Sequence, residues 1–195
     1  MPWKDSDDSF GRVSILVHWT SALLVIALLV IGFQAYFLGR GAERSALLYL
    51  HVSLGLTLIP VHIVRVAWRW RYGKPKTPQS SRILQLLAET VWRLLVFLVA
   101  VQLITGPFLV WLHGRPVAWF GLFEIAPPFH LDESLHERLV GPIHLAVGLL
   151  LVMTIGLHIL GALKHLLLDR DHVVGRMFGA GKAAKRESVA SGETA

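Results

Sequence analysis

The chain contains no cysteine. Disulfides, thiolate zinc sites, cysteine-held iron–sulfur clusters and covalent c-type haem attachment are therefore excluded. Charge is scarce too. Asp, Glu, Lys and Arg make up 16% of the 195 residues, hydrophobic residues make up 54%, and mean hydropathy is +0.56. That is the composition of a bilayer protein rather than a soluble domain. Acidic side chains are the rarer sign, 13 against 19 Lys and Arg, which leaves a net charge of +6. No separate basic domain gathers this surplus, so nucleic acid is not an expected partner; basic flanks on membrane helices account for it. No internal repeat stands out.

Long apolar runs are what the chain does have. Four windows, roughly 13–37, 47–67, 83–112 and 139–168, each reach the about 20 helical residues that a bilayer crossing takes. The first is not expected to be a signal peptide, because its leader "MPWKDSDDSF" is acidic and the run is too long, with no small-residue cleavage pattern. An even number of spans puts both termini on one side. The opposite side then holds only Arg40, Arg44, Arg115 and Arg138 among the cations outside the spans. This bias predicts cytoplasmic termini. The expected layout is a cytoplasmic N-terminus over 1–12, a four-helix transmembrane domain over 13–168 and a cytoplasmic tail over 169–195. The tail's end, "GKAAKRESVASGETA", has the small polar composition of a disordered segment. Between the second and third spans, "WRWRYGKPKTPQSSR" reads as a basic, proline-punctuated loop. After the third span, "APPF" forbids helix and "DES" offers a cap before the fourth.

Ten histidines make imidazole the natural ligand for any metal. A histidine at membrane depth is costly unless it faces the protein interior and has a partner. His144 and His158 sit in the fourth span, fourteen residues apart. That spacing is nearly four whole helical turns, so both project from one face, about 21 Å apart. His18 lies early in the first span, on the cytoplasmic side, and His51 early in the second, which begins outside. Matching by depth pairs His18 with His158 inside and His51 with His144 outside. Each pair spans two helices, as is needed to hold a flat macrocycle with an axial imidazole on each face of its iron. Zinc suits the pattern less well, because two sites so far apart would have two ligands each. His62, eleven residues after His51 on the same face, competes with His18 for the inner position on spacing alone. His136 is rotated off the face of His144 and reads as a surface residue, while His113, His130 and His172 read as solvated. Gly32, Gly55, Gly106, Gly148, Gly156 and Gly161 could make room beside a ring, although small residues also serve plain helix packing.

With these residues in place, the chain resembles the bacterial cytochrome b561 family of four-helix di-haem membrane cytochromes. The resemblance covers about residues 9–178. It rests on "SILVHW", "LHVSLGLTLIPVHIVRVAWR" and "IHLAVGLLLVMTIGLHILGALKHLLLDRDHVVGRMF". It implies an all-α integral membrane four-helix bundle binding two haems b, with axial ligands at His18, His51, His144 and His158 and none required at His62. Two departures stand out: "LHERL" puts a His–Glu pair upstream of the ligand, and Leu145 follows His144, so the second partner of that ring is unassigned.

Two axial imidazoles leave iron no open position, so such a protein passes electrons rather than binding oxygen at the metal. The resemblance implies quinone as one redox partner and, in one branch, superoxide oxidation coupled to ubiquinone reduction in the bacterial inner membrane. Arg65, fourteen residues after His51, and Arg93, near the start of the third span, are candidates to pair haem propionates; each could equally be a snorkelling, orienting arginine. Arg12, Ser14, Lys164 and His165 lie at one level and are candidates to line a quinone or substrate pocket. A membrane cytochrome b subunit of a larger dehydrogenase or hydrogenase, with a soluble electron-donor protein, is the competing reading. A non-redox membrane protein is the other.

Overall fold

The computed structural model describes residues 3–7, 9–73, 75, 81–128 and 136–179; of residues 136 and 137 only the backbone is described. Helix α1 runs Arg12–Phe37, α2 Ala42–Tyr72, α3 Arg82–Leu112 and α4 Gly141–Leu163. All are long and apolar enough to cross a bilayer. Single π-helical turns, His136–Val140 and Lys164–Asp169, extend α4 at its two ends. Strands β1, Val117–Trp119, and β2, Phe123–Ile125, form an antiparallel hairpin, and a short helix α5, Val173–Arg176, follows α4.

Large apolar side chains such as Leu16, Leu23, Ile63, Phe97, Ile104 and Met153 are exposed on the outer faces of the helices. In water this would be a liability; against lipid it is the expected surface. Two buried hydroxyls within the spans bond back to their own helix, Ser21 to the Val17 carbonyl and Thr154 to the Leu150 carbonyl, which satisfies their protons without water. The helices associate as two hairpins, α1 with α2 and α3 with α4, and contact between the hairpins is sparser. Where they meet, Leu58, Leu98, Val99 and Leu151 form the buried core, backed by Leu28 and Ile155.

Two expectations change. "WRWRY" is not loop but the last turns of α2: Trp68 and Tyr72 pack ring to ring at 4.4 Å, and the Arg69 guanidinium lies 5.2 Å from the Trp92 ring of α3. The helix stops at Gly73, whose φ of 69° is open to glycine, with Arg69 donating to its carbonyl. The segment after α3 holds a β-hairpin that no sequence period announced. Ser53 of α2 bridges it, accepting from the Phe120 amide and donating to the Ala118 carbonyl, and the Trp119 indole donates to Thr57. The cap expected at "DES" and the disorder expected over 181–195 lie outside the described residues. The tail's first part does not hang free: the Trp19 indole donates to the Met177 carbonyl and stacks on Phe178 at 4.9 Å.

Candidate functional site

Both histidine pairs meet. The ring centres of His18 and His158 lie 6.3 Å apart at the end of the bundle that carries the tail. Those of His51 and His144 lie 6.3 Å apart at the end that carries the β-hairpin. Each pair joins the α1–α2 hairpin to α4. The planes cross at 60° and 72°, so the rings do not stack on one another. An imidazole–metal bond is about 2.0–2.1 Å and a ring nitrogen sits about 1.1 Å from its ring centre, so two imidazoles on opposite sides of one metal stand about 6.3 Å apart. The observed spacing fits two axial ligands on an iron in both places. His62 is buried elsewhere on α2, and it is His18 that faces His158.

The surroundings fit as well. A Cβ added at Gly32 would lie 3.0 Å from His51 Cε1 and 3.3 Å from Nδ1, and one at Gly106 would lie 3.7 Å from His144 Cε1. Each hairpin-end ring therefore rests against a glycine of the neighbouring helix. His51 Nδ1 is buried without a hydrogen bond, the Leu28 carbonyl standing near it outside good geometry. His144 Nδ1 lies 2.8 Å from Thr105 Oγ1 of α3. This is the partner the sequence left unassigned. Gly55, Gly156 and Gly161 have open space where a Cβ would stand, and Gly148 packs under Gln102.

The remaining candidates divide. Arg65 lies near enough for its charge to act on both His18 and His158. Arg93 turns outward, with its side chain 72% exposed and bound to Glu89 at 3.3 Å. Ser14 donates to Asp5 at 2.7 Å, and Asp5 also accepts from the Gly11 amide, so this carboxylate caps α1. Arg12 is exposed over the Trp3 ring. Lys164 binds Asp169 at 2.6 Å, while His165 Nδ1 lies 2.7 Å from Asp171 and 3.3 Å from Asp169. Asp169 and Asp171 were not singled out in the sequence, although "KHLLLDRD" holds them; the π-helical turn and the left-handed Arg170, φ 49°, fold them back onto His165. An apolar groove of about 870 Å³ opens between α1, the start of α2 and α4, lined by Leu29, Phe33, Phe37 and Ile155, with Gln34 and Glu43 as its polar groups.

The profile of the prokaryotic cytochrome b561 family matches residues 9–180. The chain belongs to that family. Among curated proteins it is similar to "Cytochrome b561 homolog 2" of Escherichia coli (strain K12), 26% identical over 184 residues, covering 92% of this chain and 96% of the relative. It is also similar to the "Probable superoxide oxidase CybB" of Yersinia pestis, 27% identical over 178 residues, covering 86% of this chain and 94% of the relative. As a prokaryotic cytochrome b561, it is a multi-pass membrane electron-transfer protein that binds haem b. A haem held by this family carries one electron at a time.

Proposed function

We propose that this cytochrome b561 holds two haems b, one between His18 and His158 and one between His51 and His144, and passes electrons between a donor at the hairpin end and a quinone. The observation that supports this reading is the repeated 6.3 Å meeting of imidazoles drawn from different helices at two depths. The reading places the hairpin end outside and both termini in the cytoplasm, after the bias in Lys and Arg, with the chain in the bacterial inner membrane. Its domain boundaries are those expected, 13–168 for the cytochrome and 169–195 for the tail.

In its most concrete form, two superoxide anions each give up one electron and leave as oxygen, while ubiquinone takes two electrons and two protons and leaves as ubiquinol. The likeness to a superoxide oxidase relative supports this form. The protein's own groups have definite tasks. Arg65, whose charge acts on both His18 and His158, would supply positive charge for a haem carboxylate. Arg93, with its guanidinium on Glu89, is a more remote second candidate for such pairing. At the tail end, Asp171 holds His165 through Nδ1, which leaves Nε2 as the atom that can take up a proton from water and hand it to a reduced quinone oxygen. Lys164, Arg12 and Ser14 flank that level and complete the proposed quinone pocket.

The test is a reduced-minus-oxidised spectrum with haem quantification on the purified protein, alone and after His158→Ala or His62→Ala. Two haems b per chain are expected, with one lost in His158→Ala and none lost in His62→Ala. Equal loss of both haems in His158→Ala would refute the pairing. A pulse of superoxide should reduce added ubiquinone faster than an enzyme-free control; equal rates would remove superoxide and leave the electron carrier.

A further inference from the structure

Helix α3 supplies no histidine to either pair, yet among the described residues it carries the one side chain hydrogen-bonded to a paired ring. Thr105 Oγ1 lies 2.8 Å from His144 Nδ1 and 2.8 Å from the Val101 carbonyl, with the Gln102 carbonyl at 3.4 Å. A hydroxyl has a single proton and a carbonyl has none. If the hydroxyl gave its proton to Nδ1, the contact with Val101 would be two oxygens facing each other with no proton between them. Both contacts are hydrogen bonds only if Thr105 donates to Val101 and accepts from Nδ1–H. The proton of neutral His144 then resides on Nδ1, and Nε2 presents a lone pair. The helix fixes this arrangement, because a threonine bonded to its own i−4 carbonyl keeps its χ1 angle and aims the lone pair of Oγ1 in one direction. Gly106, the next residue, stands beside the same ring, where a Cβ would make ordinary contact at 3.7 Å with Cε1.

We propose that Thr105 is a positioning residue of the hairpin-end haem: it selects the tautomer of His144, fixes the ring's orientation and sets how strongly that ring donates to iron. The inference rests on the ligand assignment made above. An acceptor on the far nitrogen makes a ligating imidazole more basic. More electron density on iron favours the oxidised state, so this bond holds the midpoint potential of one haem lower than it would otherwise be. His51 Nδ1 has no such hydroxyl; the Leu28 carbonyl, outside good hydrogen-bond geometry, stands near that ring instead. The two imidazoles that would hold one haem therefore have unlike neighbours, a threonine hydroxyl of α3 and a carbonyl of α1.

Thr105→Val removes the hydroxyl at nearly constant shape, and Thr105→Ser keeps the hydroxyl. Redox titration followed by optical and electron paramagnetic resonance spectra reads each haem separately in full-length protein. In Thr105→Val, one haem should shift to a higher midpoint potential with altered low-spin g-values, the other should not move, and haem content should be unchanged. Thr105→Ser should restore the original values. Thr105→Ala gives the same reading should the valine chain be too unstable to purify. Two haems whose potentials and g-values match the unsubstituted protein in Thr105→Val or Thr105→Ala would overturn the inference alone, as would an equal shift of both haems or failure of serine to restore. An unsubstituted protein that takes up no haem would overturn the ligand assignment and this inference with it.

Discussion

A methyl group at position 32 and one at position 106 have different expected outcomes. The first would press to 3.0 Å on His51, and the second would make ordinary contact at 3.7 Å with His144. Overpacking of this kind costs about 1–3 kcal/mol. Gly32→Ala is therefore expected to weaken or distort the low-spin spectrum of one haem and lower its retention on purification. Gly106→Ala should leave both haems as they are. If haem quantification and resonance spectra of the two variants were alike, close approach at Gly32 would not be the reason for the glycine. At this scale the sequence was legible where helical geometry converts spacing into depth: fourteen residues between His144 and His158 set two levels, and His18 and His51 fall at matching depths. It was silent on what stands beside a ring on a neighbouring helix. Nothing in "LITGPF" marks Thr105 as the partner of a residue 39 positions away.

Among the elements, the β-hairpin is tied at its turn to α2 by one buried hydroxyl. Ser53 is fully buried and satisfies both the Phe120 amide and the Ala118 carbonyl. Ser53→Ala leaves two backbone groups of the hairpin unpaired, a loss of about 1–3 kcal/mol for each group that water cannot reach. Hydrogen exchange should show faster opening of residues 117–125 with the helices unchanged; equal protection in both proteins would mean that the strands hold themselves. The hairpin was not legible because strands of three residues have no measurable alternation, and their hold on α2 is entirely tertiary. The extension of α2 through "WRWRY" was missed for the opposite reason: charge and aromatic content read as loop, whereas stacking of Trp68 on Tyr72 and of Arg69 on Trp92 stabilises helix there. The four long helices themselves were plain, since apolar length is a direct requirement of the bilayer.

Over the whole molecule, the missing cysteines make orientation straightforward to test. Arg115 is exposed just before the hairpin and His172 is exposed just before α5. With cytoplasmic termini, Arg115→Cys should react with a membrane-impermeant maleimide in intact spheroplasts. His172→Cys should react only after the membrane is opened. The reverse pattern would invert the proposed topology. The family was legible at this scale because its motifs carry the paired histidines; the packing of two helical hairpins was not, since it depends on side-chain shape along every span rather than on hydropathy.

That packing bears on biogenesis. Both pairs take their second ring from α4, the last of the four long helices among the described residues to leave the ribosome. A nascent chain arrested before residue 141 has inserted two imidazoles that have nothing to grip against. Under the proposed ligand assignment, haem loading waits on synthesis of α4, and chains that end before it are left without a clasp for porphyrin.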